Sequence, residues 1–208
     1  MKERPILFNG EMVRAILDGR KNMTRRVVKF PYAPRGISAA YNTDHLSAFP
    51  ANNGGWIFFT SPANRITENM KTGDGLLCPY GQPGDRLWVR ETWMPFTEQG
   101  CPVGATIYRA TDHPEPDGDS PLRWKPSIFM PRWASRITLE ITAVRVERVQ
   151  DISGRDIEAE GFAIRYTMPG AFAGLDEFRA LWDCLNAKRG YGWDANPWVW
   201  AIAFKRVK

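Results

Sequence analysis

Apolar and polar positions follow two different periods along the chain, and the changes of period predict where elements begin and end. Residues 5–8 form a short apolar run typical of a strand. The apolar residues that follow recur at helical spacing, with Asn9 placed to cap a helix and Gly19 placed to end it. Residues 24–30 then predict a second strand, so the N-terminal part is expected to fold as strand, helix and strand.

A long stretch without periodicity follows, from about residue 31 to residue 83. It is rich in proline, glycine and asparagine, and residues 56–59 predict one strand within it. We interpret this stretch as an insertion carried by a single domain that spans residues 1–208. A second irregular loop is expected over about residues 110–135.

The clearest strand patterns lie in the middle of the chain. Residues 86–91 predict a strand directly after a Gly-Asp turn. Residues 136–149 give the longest alternating pattern, and its phase shifts at Val144. A shift of phase within one strand predicts a β-bulge or a bend at that point.

The C-terminal part predicts two helices and a last strand. Ser153, followed three residues later by Asp156, is typical of a capped helix start, and this short helix is expected to run through Glu160. Residues 175–185 predict a longer amphipathic helix, and residues 198–204 alternate as a final strand. Several strands mixed with short helices favour an α+β fold built on a mostly β barrel.

Composition narrows the class of protein without fixing its function. The 208 residues are 43% hydrophobic and carry a net charge of +5, with nine tryptophans. This composition supports a packed core and is compatible with a polyanionic partner. The three cysteines lack the spacing of metal ligands, and no apolar run is long enough to cross a membrane. We therefore expect no metal, no cofactor and no membrane contact, and a reducing cytoplasm as location.

The segment of residues 19–26 carries the most distinctive chemistry. Arg20, Arg25 and Arg26 surround Lys21, and Thr24 lies among them. Neighbouring positive charge disfavours the protonated form of a lysine, so the pKa of Lys21 is expected to fall. A neutral lysine can activate a hydroxyl nucleophile, and the same arginines can hold a phosphate or a base edge. Catalysis and nucleotide binding are both open from these residues.

The order of these patterns resembles the ASCH domain family. The matching segments are residues 5–30, 84–93, 136–162 and 197–206, and residues 125–133 are similar to those of the larger ASCH proteins of phages and prophages. The resemblance implies a PUA-like β-barrel with peripheral helices and long loop insertions. It also implies a bacterial or phage-infected cell as the setting.

One bacterial branch of that family hydrolyses N(4)-acetylcytidine to cytidine and acetate. Its catalytic motif falls on Lys21, Thr24 and Glu160 of this chain. The resemblance thus implies Lys21 as the base, Thr24 as the nucleophile, and Glu160 as an acid or substrate anchor. We expect further substrate contacts from Arg20, Arg25, Arg26, Glu91, Ser127 and Arg132.

Structural roles stay open for several of these residues. Arg25 and Arg26 point to opposite faces of a strand, so only one can face the site, and we favour Arg25. Glu91 can equally form a buried ion pair with an arginine. Ser127 and Arg132 lie in proline-rich sequence that a rigid loop explains equally well.

The expected partner is a pyrimidine nucleoside or RNA, and the oligomeric state is open. One alternative function is a module that binds RNA or another single-stranded nucleic acid, with or without nuclease activity. A second alternative is a non-enzymatic phage protein that acts in assembly or in host interaction.

Overall fold

Strands alternate with short helices along the chain. The computed structural model describes residues 1–29, 46–50, 55–60, 64–65, 76–95, 105–112, 123–163, 165–168 and 171–208. The strands are β1 (Glu3–Leu7), β2 (Met23–Val27), β3 (Leu46–Pro50), β4 (Trp56–Thr60), β5 (Asn64–Arg65), β6 (Arg86–Arg90), β7 (Trp93–Pro95), β8 (Thr106–Tyr108), β9 (Thr138–Arg148), β10 (Arg165–Met168), β11 (Ala171–Ala173) and β12 (Trp198–Arg206). The α-helices are α1 (Gly10–Leu17), α2 (Gly154–Ala159) and α3 (Leu175–Asn186).

Five strands form the central sheet in the order β1-β6-β9-β12-β2. β1 and β6 are parallel, and the other neighbours are antiparallel. Among the described strands, β1 and β2 are the two edges of this sheet, which does not close on itself. A mixed sheet with few helices confirms the α+β class.

Both predicted helix starts are confirmed by their caps. The Asn9 side chain accepts a hydrogen bond from the Met12 amide at 2.8 Å, and the Ser153 hydroxyl accepts one from the Asp156 amide at 3.2 Å. These bonds satisfy amides that the first turn of a helix leaves unpaired. Glu160 is the residue that directly follows α2 and caps its C-terminal end.

The predicted irregularity in the longest strand is a bulge in β9. Ala203 of β12 pairs with Ala143, whereas the next residue, Phe204, pairs with Ile141, so Thr142 is left as the extra residue. The bulge lets Ile141 and Val144 both pack against the same hydrophobic core, although they are three positions apart.

Two hydrophobic cores lie on opposite faces of β12. Alternate residues of β12, including Trp200 and Ile202, are buried in the first core with α1, β1 and β6. Val199, which points the other way, is buried with Phe178 and Trp182 of α3 in the second core. α1 and α3 therefore cover different sides of the sheet, and the segment that joins α1 to β2 lies at the sheet edge.

The region expected to be an insertion contains a small sheet of its own. β3, β4 and β5 form an antiparallel sheet, and β4 confirms the strand predicted at residues 56–59. β7 and β8 form a separate antiparallel pair. Short 3-10 helices cover Ser127–Phe129, Arg132–Ala134, Val149–Asp151, Ala187–Arg189 and Trp193–Ala195.

Candidate active site

Lys21 and Glu160 meet in a buried ion pair at the edge of the central sheet. The Lys21 Nζ donates to Glu160 Oε2 at 2.5 Å and to the Glu160 carbonyl oxygen at 3.0 Å. Lys21 is 3% exposed and Glu160 is 5% exposed. The structure thus brings together two of the three residues of the predicted catalytic set, although they are 139 positions apart.

Backbone contacts around this pair explain its position. The Lys21 amide donates to the Ala15 carbonyl at 2.9 Å, and the Asn22 amide donates to the Ala159 carbonyl at 2.8 Å. Gly161 has a φ of +98°, and a Cβ atom there would lie 3.2 Å from the Lys21 Cβ. The chain after Glu160 can pass this close to Lys21 because residue 161 is glycine.

Burial is the main reason why the pKa of Lys21 is lowered. The Glu160 carboxylate acts in the opposite direction, and the charges of Arg26 and Arg25 add to the lowering. The direction agrees with the expectation from sequence, but the leading cause is removal from water. Arg20 points away, since its guanidinium donates to the Gly161 carbonyl at 3.0 Å and to Asp18 at 2.9 Å.

Arg25 lies behind Glu160 and is held by three carboxylates. It donates to Glu160 Oε1 at 3.3 Å and to Asp156 Oδ2 at 3.0 Å, and it forms a short contact with Glu147. Arg145 donates to the same Asp156 and Glu147 carboxylates from the outside. The side chain of Arg25 is 1% exposed. Arg25 thus contacts Glu160 directly and is buried among carboxylates, and its expected contact with a substrate stays a prediction.

Asp156 is kept ionised within this network. Its burial acts to raise the pKa, but the charges of Arg25 and Arg145 outweigh burial, so the pKa of Asp156 is lowered. The side chain of Asp156 is 15% exposed. Asp156 and Glu147 were missing from the expected site because they come from α2 and β9, far from Arg25 in sequence.

Arg26 occupies the other side of β2, near the lysine amine. Its Nη2 donates to the Leu7 carbonyl at 2.7 Å. The guanidinium lies 5.2 Å from the centre of the Phe8 ring, and the Lys21 Nζ lies 5.8 Å from the same centre. Arg26 and the Lys21 amine therefore share the Phe8 ring as a neighbour, whereas Arg25 and the amine share the Glu160 carboxylate.

Thr24 is buried on β2 opposite Ile202 of β12 and is 2% exposed. Side chains alternate along a strand, so Thr24 lies on the same side as Arg26. Within the part of the chain that the structure describes, no hydrogen bond joins the Thr24 hydroxyl to Lys21 or Glu160. The structure thus places Thr24 on the Arg26 side of β2.

Glu91 belongs to a second, separate ion pair. Its two oxygens accept from Nε and Nη2 of Arg136, both at 2.9 Å, and Glu91 is 2% exposed. Burial raises the pKa of Glu91, and Arg136 opposes that effect. Arg136 also lies over the Tyr108 ring at 4.0 Å. Glu91 therefore forms the buried ion pair that was expected as an alternative, and its contact with a substrate stays a prediction.

Ser127 and Arg132 lie in two successive 3-10 helices, Ser127–Phe129 and Arg132–Ala134. Arg132 Nε donates to Glu3 Oε2 at 3.0 Å, at the first residue of β1. Arg26 contacts the opposite end of the same strand, at Leu7. Arg132 therefore lies at the opposite end of β1 from the residue that Arg26 contacts, and the substrate contacts expected of Arg132 and Ser127 stay predictions.

A cavity of about 420 Å³ lies beside the ion pair, between the turn after α1 and the end of α2. Arg20, Asn22, Arg155, Glu158, Gly161 and Phe162 are among its lining residues. It lies next to the backbone of Lys21 and Glu160, whose side chains do not line it. Arg20 is part of this lining, and its expected contact with a substrate stays a prediction.

The described residues hold no group of three or more histidine, cysteine, aspartate or glutamate side chains arranged for a metal ion. None of their helices combines the length and the apolar character needed to cross a membrane. Cys78 and Cys184 are free thiols, and Cys101 lies outside the described residues. Comparison with protein-family models, with curated proteins and with solved structures finds no match to the chain.

Proposed function

We propose that the chain is an ASCH protein with a PUA-like β-barrel fold that hydrolyses the N(4)-acyl amide of acylated cytidine. The observation that carries this proposal is the buried contact between Lys21 and Glu160. A buried amine and carboxylate in contact form a centre whose proton can be exchanged, as amide hydrolysis requires.

The topology supports the family assignment. The four segments that carry the resemblance contain β2, β6, β9 and β12 of the central sheet, the last three residues of β1, and both α1 and α2. These strands are hydrogen-bonded neighbours in one sheet, although long stretches of sequence separate them. The segments that resemble the family are therefore those that build the central sheet.

The first step is acylation of Thr24. Neutral Lys21 takes the proton of the Thr24 hydroxyl, and the oxygen attacks the amide carbonyl carbon. The bond from that carbon to the exocyclic nitrogen of cytosine then breaks. The nitrogen takes a proton from Glu160, which leaves cytidine and an ester on Thr24.

The second step is hydrolysis of the ester. Lys21 first passes the proton that it took from Thr24 to Glu160, which restores the neutral amine. Lys21 then takes a proton from water as the water oxygen attacks the ester carbon. The bond to the Thr24 oxygen breaks as Lys21 returns this proton to Thr24, and acetic acid leaves and ionises to acetate. Arg26 is suited to stabilise the negative oxygen in both steps. Its Nε is buried and has no hydrogen-bond partner among the described residues. A buried donor of this kind can bind a developing oxyanion.

The experiment is hydrolysis of N(4)-acetylcytidine by the parent protein and by four variants, followed by chromatography of cytidine. Lys21→Met and Thr24→Val should lose at least about 1000-fold in kcat. Thr24→Ser keeps the hydroxyl and should retain most activity. Glu160→Gln should lose about 100-fold. Glu177→Gln, an exposed carboxylate on α3 that does not line the cavity, is the control and should remain active.

Circular dichroism would show that each variant is folded. A parent protein without turnover would overturn the proposed reaction. Full activity in Thr24→Val, with activity lost in Lys21→Met, would replace Thr24 by a water molecule as the nucleophile. An acetyl group trapped on Thr24 by rapid quench and mass spectrometry would support the ester.

A further inference from the structure

A second feature lies on the outer side of β1 and β6, in the segment of residues 126–134. Two 3-10 helices, Ser127–Phe129 and Arg132–Ala134, make this segment rigid. Met130 and Ala134 anchor it, since they are 1% and 2% exposed and pack with Trp93. Trp93 also exchanges two backbone hydrogen bonds with Lys125, at 2.7 and 3.3 Å.

The rigid segment holds three large apolar side chains in solvent. Phe129 is 70% exposed, Trp133 is 63% exposed and Ile128 is 57% exposed. We call these three residues the aromatic platform. The Trp133 ring meets the Trp93 ring edge-on at 5.8 Å, which fixes its orientation. Their exposure on a fixed backbone indicates a surface for a partner.

The charged residues close to the aromatic platform in sequence are all positive. Residues 120–139 include Arg123, Lys125, Arg132 and Arg136, and no aspartate or glutamate. Lys125 lies over the Trp93 ring at 5.2 Å, and Arg132 lies 5.9 Å from the Trp88 ring. Two carboxylates contact this group: Glu3 of β1 accepts from Arg132, and Glu91 accepts from Arg136. Exposed aromatic rings flanked by cations are complementary to stacked bases and phosphates.

We propose that the aromatic platform binds a single-stranded nucleic acid. Phe129 and Trp133 stack on bases, and Lys125 and Arg132 contact the phosphates. An apolar surface of a partner protein would contact the aromatic platform but would offer no negative charge to Lys125 and Arg132. The inference does not depend on the reaction at Lys21, because no residue is shared.

The platform and the lysine site are connected through one end of β1. Arg90 Nη1 donates to the Ile128 carbonyl at 3.1 Å, and Arg90 pairs with Leu7 across β1 and β6. The Leu7 carbonyl accepts from Arg26. A strand that stacks on the platform is therefore bound near the end of the sheet where Arg26 and the Lys21 amine lie, so a polymer can reach both.

The test is fluorescence anisotropy with a labelled oligouridine of about 15 nucleotides, long enough to cover one binding surface. Phe129→Ala and Trp133→Ala should each weaken binding by about tenfold. Lys125→Ala should reduce the slope of log affinity against log salt by about one. Leu185→Ala, an exposed apolar residue on α3, and Lys188→Ala, an exposed lysine, are the controls and should bind like the parent.

Phe129→Ala removes an exposed side chain, so this variant keeps the test valid if Trp133→Ala unfolds. Parent-like binding by Phe129→Ala would overturn the inference, as would equal affinity for a duplex of the same length. Absence of binding by the parent would also overturn it. Sedimentation that shows a dimer lost in Phe129→Ala, without effect on the oligonucleotide, would assign the platform to contact between copies.

Discussion

Glu160 and Glu91 are both buried carboxylates held by a cation, and their partners differ in one respect. Glu91 receives two parallel bonds from Arg136, whereas Glu160 receives its shortest bond from Lys21. A guanidinium keeps its proton throughout the ordinary pH range, but a lysine amine in a buried site can lose one. Burial of a carboxylate thus does not identify a reactive centre, and the chemistry of its partner separates a structural pair from a candidate catalytic pair.

The largest expected effect comes from removal of the arginine behind Glu160. Arg25→Met should lower the free energy of unfolding by about 3–5 kcal/mol, because three carboxylates lose a buried counter-charge. Arg145→Met should cost about 0–1 kcal/mol, since the Arg145 side chain is 43% exposed while it contacts two of the same carboxylates. Urea denaturation measures both. An equal loss of unfolding free energy in both variants would show that the buried Arg25 stabilises the protein no more than the exposed Arg145 does.

Gly161 tests how tightly the backbone fixes the same centre. Gly161→Ala should cost about 3 kcal/mol, because the new Cβ would meet the Lys21 and Ala15 side chains in addition to the strain of a positive φ. Gly19→Ala has a positive φ and open space around it, so about 1 kcal/mol is expected. Thermal denaturation compares the two, and a similar loss in both would assign the effect to φ alone.

The pH dependence of stability should distinguish the lysine pair at alkaline pH. The pKa of Lys21 is lower in the folded state, so the folded protein binds fewer protons there than the unfolded chain. The stability of the parent relative to Lys21→Met should therefore rise as pH increases from the folded pKa towards about 10.4, the ordinary lysine value. A difference that stays flat over this range would mean that the Lys21 pKa is not lowered.

The arginine pair should show a smaller effect, at acidic pH and with the opposite sign. The pKa of Glu91 is higher in the folded state, so folding takes up a proton above about pH 4.3, the ordinary glutamate value. The stability of the parent relative to Glu91→Gln should fall as pH rises through the folded pKa. Chemical denaturation over a pH series measures the difference, and a rise with pH would contradict the expected direction.

Local patterns allowed much of the fold to be predicted. Asn9 and Ser153 cap helices through bonds to residues three positions away, and the bulge in β9 follows from a change of alternation. These features depend on neighbours in sequence, so the sequence contains their signal. The contact between Lys21 and Glu160 was expected from the family resemblance, since no local pattern links residues so far apart.

Other parts of the site could not be predicted, because they depend on pairing between distant segments. Arg25 rather than Arg26 contacts the buried carboxylates, because α2 and β9 place Asp156 and Glu147 on the Arg25 side of β2. Glu91 and Arg136 meet because β6 and β9 are neighbours. A pattern along one strand shows that two arginines face opposite ways, but it does not show which face receives the carboxylates.

The position of β12 between β9 and β2 sets an order on how the molecule can form. β2 contacts the rest of the central sheet through β12, the last strand of the chain. During synthesis β2 therefore gains a neighbour in the central sheet only after residues 198–206 have been made. Lys21 lies just before β2 in the chain. We therefore expect the contact between Lys21 and Glu160 to form late, after β1, β6 and β9 have had time to pair. A nascent chain would thus carry its basic segment without the completed contact between Lys21 and Glu160 until the final strand is in place.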